Sequence, residues 1–147
     1  MEFAISQEIR ARIDAVHGQG CNCCQAVCAA FAEEFRVPQD EVLRLGAGFG
    51  GGMGYYGLTC GALAGAAMVF SSRYGSDFAG NAAYKREFYA AVKALAGAFE
   101  QRAGAATCTT LRKLRAEQQG LSCIELMYLA AELTTEFLDK YQDILHN

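Results

Sequence analysis

Proline, histidine and tryptophan are scarce in this chain of 147 residues, which has one proline, two histidines and no tryptophan. With Pro38 as the single strong breaker and 26 alanines, the composition favours helix, since alanine is the best helix former and proline the worst. No period-2 stretch of useful length is present, so strands are not expected. Histidine chemistry is poorly served: His17 reads as part of a turn and His146 lies at the terminus. No Ser/His/Asp arrangement can be argued. A basic stripe is also missing, and a net charge of −3 with mixed signs along the chain argues against a nucleic-acid groove. The chain carries no charge from Gly46 to Ser72, but the first half of that stretch is glycine-rich. Its apolar part, Gly61 to Phe70, is far short of a membrane span. Residues Met1 to Ser6 show neither a basic n-region nor a cleavage pattern, so the cytoplasm is the expected compartment. The length suits one domain over residues 1–147 with a substantial core of its own.

What the chain does have is helical periodicity. Ile5, Ile9 and Ile13, with Val16 beyond, place an amphipathic helix over 4–16, ended by His17-Gly18-Gln19-Gly20. Asn22 and Gln25 form a capping-box-like start to a helix from about Cys23 to Phe35. Val37-Pro38 breaks the chain before a short helix over about 39–45. Residues 58–73 are rich in small side chains that let neighbouring backbones approach, and read as the central helix. Asn81 caps a long helix to about Arg102, with Tyr84, Phe88, Val92, Leu95 and Phe99 on one stripe. Thr107 opens a short helix, and the Ser122–Glu125 capping box opens a last one to about Leu145. The expected fold is all-α: a compact bundle of six or seven helices. Phe31, Phe35, Tyr84, Phe88, Phe99 and Phe137 are expected in its core.

Between the third and fourth of these helices lies Gly46 to Gly57, with seven glycines in twelve residues. A flexible linker would be rich in glycine and serine, whereas this one carries Phe49, Met53, Tyr55 and Tyr56. It reads as an ordered loop passing close to other backbone or to a ligand. Its Gly46-x-Gly48-x-x-Gly51 match to a dinucleotide fingerprint has no βαβ unit around it and carries little weight.

Seven cysteines without an export signal point towards metal binding or redox work rather than a secreted disulfide framework. Four of them follow residues that favour a helix N-cap: Asn22-Cys23, Thr59-Cys60, Thr107-Cys108 and Ser122-Cys123. There the positive end of a helix dipole favours a thiolate, and such sites can hold a thiol between roughly 3.5 and 7.5. Two thiolates about 4 Å apart repel by about 4 kcal/mol at an effective dielectric near 20. Each dipole returns only about 0.3–1 kcal/mol. If the four converge, they hold a metal or cofactor, form disulfides, or protonate in part. Cys21 and Cys24 add a Cys-x-x-Cys pair, and Cys23 and Cys24 a vicinal one. No second Cys-x-x-Cys exists to complete a zinc ribbon, and a thioredoxin-like reading lacks its βαβ pattern. Cys28, in an apolar run, reads as a packing residue. Arg44, Arg73, Arg86 and Arg112 can stabilise anionic sulfur, although solvated helix faces explain them equally well.

The segments Asn22-Cys-Cys-Gln-Ala-Val27, Gly48-Phe-Gly-Gly-Gly-Met-Gly54 and Cys60-Gly-Ala-Leu-Ala-Gly65, with Cys108 and Cys123 beyond, resemble the C-GCAxxG-C-C family. The resemblance spans essentially the whole chain. It implies redox activity and carries the four family cysteines onto Cys23, Cys60, Cys108 and Cys123. The chain departs from the family pattern at Cys24, where alanine is usual, and Cys21 and Cys28 are additional. Which of Cys21, Cys23 and Cys24 works is therefore open. More distant similarity links the family to a domain of split-Soret cytochromes, but no Cys-x-x-Cys-His haem attachment motif is present.

The leading expectation is a thiol redox protein working with an unknown redox partner, through a reversible Cys23–Cys60 disulfide with Cys108 and Cys123 as a resolving or second pair. The alternative is a zinc or iron–sulfur module using the same four cysteines as ligands. A third reading has the cysteines only packing. The small-residue helix can pack within the chain or across a homodimer.

Overall fold

In the computed structural model, which describes residues 2–145, the chain forms eight helices and no strand among those residues. The helices are α1 (Gln7–Gly18), α2 (Cys23–Ala30), α3 (Ala32–Phe35), α4 (Gln39–Gly46), α5 (Gly61–Tyr74), α6 (Ala82–Ala103), α7 (Cys108–Ala116) and α8 (Cys123–Lys140). The all-α expectation holds. His146 lies outside the described residues.

The boundaries differ from expectation where a local bond decides. The first helix starts later because Ser6 is the N-cap, its hydroxyl accepting from the Ile9 N–H at 3.1 Å. At its other end α1 runs on to Gly18, which places His17 in its last turn rather than in the turn beyond it. The expected helix over 23–35 splits at Phe31, whose φ of −122° and ψ of 36° leave the helical basin. Arg36 in the left-handed region then ends α3. The last helix stops at Lys140, and Tyr141 accepts from the Leu145 N–H at 2.9 Å as the chain turns and buries Leu145.

α5 is the central helix, packed between α2 and α8. Its small residues are spent on these contacts within the chain: a Cβ on Gly65 would lie 3.0 Å from the Cys24 carbonyl oxygen and 3.0 Å from Val27 Cβ. Phe70, fully buried on α5, holds ring contacts to Tyr74, Phe88 and Tyr141 at 5.0, 5.7 and 5.7 Å. Of the aromatics expected in the core, all are buried except Phe35, which packs against its edge. No described helix is long and apolar enough to cross a membrane.

The N-terminal arm is pinned to the last helix. Phe3 lies against Tyr128 with ring centroids 5.9 Å apart, and the Ala4 N–H donates to the buried Glu132 carboxylate at 2.6 Å. Arg102 of α6 pairs with the other carboxylate oxygen. Burial alone would raise the Glu132 carboxyl, but the Arg102 guanidinium and the Ala4 N–H outweigh it and hold the group below its ordinary value. The stabilisation from Glu132 is therefore present above about pH 4.3, the ordinary value of a free glutamate, and is lost as pH falls through the lowered folded value. Glu132→Gln is expected to destabilise the protein by about 1.5–3 kcal/mol at neutral pH. The difference from wild type should shrink on acidification, measured by urea unfolding at pH 7 and pH 3.5; an equal loss at both pH values would contradict this.

Candidate thiol site

The sulfur site is assembled from helix starts and from the glycine-rich loop beside them. Asn22 caps α2, accepting from the Gln25 N–H at 2.9 Å, while the Gln25 side chain accepts from the Asn22 N–H at 2.9 Å. The Asn22 amide also donates to the carbonyl of Ala47 at 3.0 Å, which ties the loop to the start of α2. Successive residues of a helix start point in different directions, and the neighbouring cysteines divide accordingly. Cys23 faces a cavity together with Cys21. Cys24 turns into the core, fully buried, with its sulfur 3.5 Å from that of Met68. Cys28 lies beside it in a small apolar cluster with Val42; a hydrogen bond to Cys24 and burial push its thiol up. Its packing role is as expected.

Between Gly50 and Met53 the chain is no regular helix, because Gly51 and Gly52 take φ of 64° and 73°. Gly52 admits no side chain: a Cβ there would come within 2.6 Å of the Leu58 nitrogen and 2.8 Å of Cys108 Cβ. The loop is thus folded tightly over the sulfur site, in keeping with its expected close approach to other backbone.

Cys60 and Cys108 are brought together by an antiparallel bridge between Thr59 and Thr107. The Cys60 N–H donates to the Ala106 carbonyl at 2.8 Å, and the Cys108 N–H donates to the Leu58 carbonyl at 2.7 Å. This pairing corrects the cap reading at two positions. Thr59 does not cap α5; extended in the bridge, it leaves Cys60 itself as the N-cap residue. Thr107 occupies the N-cap of α7, but its hydroxyl bonds that of Thr110 at 3.0 Å instead of a backbone N–H. The Ser122–Glu125 capping box at the start of α8 forms in full, placing the exposed Cys123 in its first turn.

Cys21, Cys23, Cys60, Cys108 and Cys123 line one cavity of about 330 Å³, whereas Cys24 does not reach it. Gly51 and Tyr55 contribute from the glycine-rich loop, and His17, Arg112 and Arg115 supply the polar wall. None of the lining residues is Asp or Glu. All seven cysteines are free thiols.

The thiolate expectation fails at two of the four helix-start positions. Burial pushes the Cys23 thiol up; the Gly51 N–H lowers it in part, and the sulfurs of Cys123 and Cys24 raise it further. Burial likewise lifts Cys60 to about 11, only partly offset by the Leu63 and Ala62 N–H groups, with the Cys23 and Cys108 sulfurs adding to the rise. The cost of desolvating a thiolate exceeds the about 0.3–1 kcal/mol that a helix terminus returns. At neutral pH Cys23 and Cys60 therefore stand in the cavity as protonated thiols. The Cys23 thiol thus feels the sulfurs of Cys123 and Cys24, and Cys60 those of Cys23 and Cys108.

A set of four thiols is chemically suited to zinc or an iron–sulfur cluster. Among the described residues, however, no three Cys, His, Asp or Glu side chains converge closely enough to hold a metal ion. As arranged, the donors do not fit a metal centre.

Of the arginines singled out from the sequence, only Arg112 lines the cavity. Arg44 pairs with Asp40 and Glu41, and Arg73 with Glu34. Arg115, Tyr55 and His17 were not anticipated there. The signal for Arg115 lay in α7, where Cys108, Leu111, Arg112 and Arg115 follow the i, i+3, i+4, i+7 spacing of one helix face, and all four line the cavity.

No curated protein and no solved structure gives a significant match to the chain. A family model described as "Putative redox-active protein (C_GCAxxG_C_C)" matches residues 21–137, a span that holds every cavity cysteine and the whole glycine-rich loop. The chain belongs to the C-GCAxxG-C-C family.

Proposed function

We propose that this protein carries out thiol–disulfide exchange, with Cys123 as the entry thiol and Cys23 as its resolving partner. The observation behind this reading is that the exposed Cys123 shares a cavity with Cys23 and lies close enough for their charges to interact. The Cys123 thiolate attacks one sulfur of an external disulfide: a Cys123–sulfur bond forms, the substrate's S–S bond breaks, and one half leaves as a thiolate that takes up a proton. Cys23, losing its proton, then attacks the Cys123 sulfur. The second half departs as a thiol and a Cys23–Cys123 disulfide remains, the protein having given two electrons to the substrate. Cys60, which lines the same cavity, can attack in turn, which moves the bond to Cys23–Cys60 and frees Cys123. Cys108 lines that cavity as well. A neutral Cys60 suits this role, since it stays unreactive towards solvent until a neighbouring disulfide reaches it.

The test treats reduced protein with one equivalent of a small disulfide, quenches with an alkylating reagent and maps the products by mass spectrometry. The expected sequence is a mixed disulfide at Cys123, then Cys23–Cys123, then Cys23–Cys60. Even alkylation of all seven thiols with no reaction towards disulfides would remove the proposal. The zinc or iron–sulfur alternative on Cys23, Cys60, Cys108 and Cys123 has no converging donor set behind it among the described residues. Elemental analysis and the absorbance spectrum of anaerobically purified protein separate it from exchange.

A further inference from the structure

We propose that the cavity selects small disulfides that carry carboxylates or other anionic groups, a reading that rests on the exchange chemistry above. The wall beside the thiols holds Arg112, Arg115 and His17 and no carboxylate. An arginine stays protonated at any physiological pH, so at least two positive charges face the space where a substrate's S–S bond must lie. Neither arginine is neutralised: among the described residues no ion pair includes Arg112 or Arg115. Both are instead held in place by uncharged partners. The Arg112 guanidinium lies over the Tyr55 ring at 5.4 Å, and Arg115 Nε donates to the Leu121 carbonyl at 3.2 Å. These contacts orient the two cations and leave their charge unspent.

The chain as a whole is acidic, with a net charge of −3, so the positive wall is a local exception. A concave, low-dielectric cleft lined by one sign of charge concentrates ligands of the opposite sign. At about 330 Å³ the cavity stands at the lower end of small-molecule sites, near 300–1,000 Å³, which suits an amino-acid or short-peptide disulfide. The same charges act on the chemistry. When the substrate's S–S bond breaks, the departing half leaves as a thiolate, and a guanidinium at the wall stabilises that charge as it develops.

The experiment compares three disulfides with the fully reduced protein: glutathione disulfide (anionic), 2-hydroxyethyl disulfide (neutral) and cystamine (cationic). At low ionic strength the anionic compound is expected to react ten-fold or more faster than the cationic one. That ratio should fall several-fold in about 1 M salt, where the Debye length is about 3 Å. In an Arg112→Gln/Arg115→Gln double variant the ratio should fall to within about two-fold, while Arg112→Lys should preserve it. The salt series on the unaltered protein keeps the inference testable if the double variant does not fold. Similar rates for all three disulfides in the unaltered protein would overturn the charge selection and leave exchange standing. No reaction with any of them would overturn the exchange reading and the selection with it.

Discussion

Replacing Cys123 with serine is expected to slow the reaction of the reduced protein with an external disulfide by ten-fold or more. Serine keeps the size of the side chain but supplies no thiolate, and Cys123 is the most exposed of the seven cysteines. The buried Cys60 behind it is a weak substitute. At about 11, Cys60 is ionised in about one molecule in ten thousand at pH 7, against about three in a hundred for an ordinary free thiol near 8.5. The more basic thiolate is intrinsically the better nucleophile and recovers part of that difference, leaving a deficit of about 20-fold before burial is considered. Stopped-flow measurement with a small neutral disulfide reads the change. The residual rate in Cys123→Ser should climb steeply with pH between 8 and 10, as the raised thiols ionise. A rate equal to that of wild type would show that entry occurs elsewhere, with half-buried Cys21 or Cys108 next in line.

Gly61→Ala is expected to disable the inner relay and to destabilise the fold. Helix propensity alone would favour alanine by up to about 1 kcal/mol. Packing decides otherwise: the new methyl group would run into the Cys23 sulfur and come within 2.8 Å of the Phe49 carbonyl oxygen. The sulfur can rotate away, but the carbonyl is backbone and can yield only by moving the loop. Overpacking of this kind costs about 1–3 kcal/mol, enough to cancel or exceed the propensity gain, so a net loss of up to about 2 kcal/mol is expected. The larger effect is on chemistry, because the methyl group displaces the Cys23 sulfur from its place beside Gly61, the residue that follows Cys60. Disulfide mapping after mild oxidation should then show no Cys23–Cys60 bond. Unchanged cross-linking together with unchanged urea stability would mean that α2 and α5 do not press on each other as described.

The helix content and three of the four cysteine-bearing starts were legible because they rest on local rules. Asn22 with Gln25 and Ser122 with Glu125 form boxes within four residues, and both appear as expected. Thr107 keeps its N-cap place even without the side-chain bond. Thr59 misleads for a non-local reason: its partner, Thr107, lies far along the chain, and nothing near residue 59 announces the bridge. Thiol ionisation was misjudged for a related reason. The dipole of a helix start is a local property, whereas the burial that outweighs it at Cys23 and Cys60 comes from distant segments folding over them. Which of Cys23 and Cys24 faces the cavity was equally hidden, since it depends on which side of α2 meets Met68.

The Thr59–Thr107 bridge also bears on when the site comes into being. It ties Leu58 and Cys60 to residues 106 and 108, across the intervening α5 and α6. Contacts between distant parts of a chain form late because loop closure must precede them. On a ribosome, where synthesis proceeds from the N-terminus, Cys23 and Cys60 emerge long before Cys123 and the helix that carries it. The nascent chain therefore carries Cys23 and Cys60 before Cys108 and Cys123 exist, and the cavity is complete only once the last helix has been made.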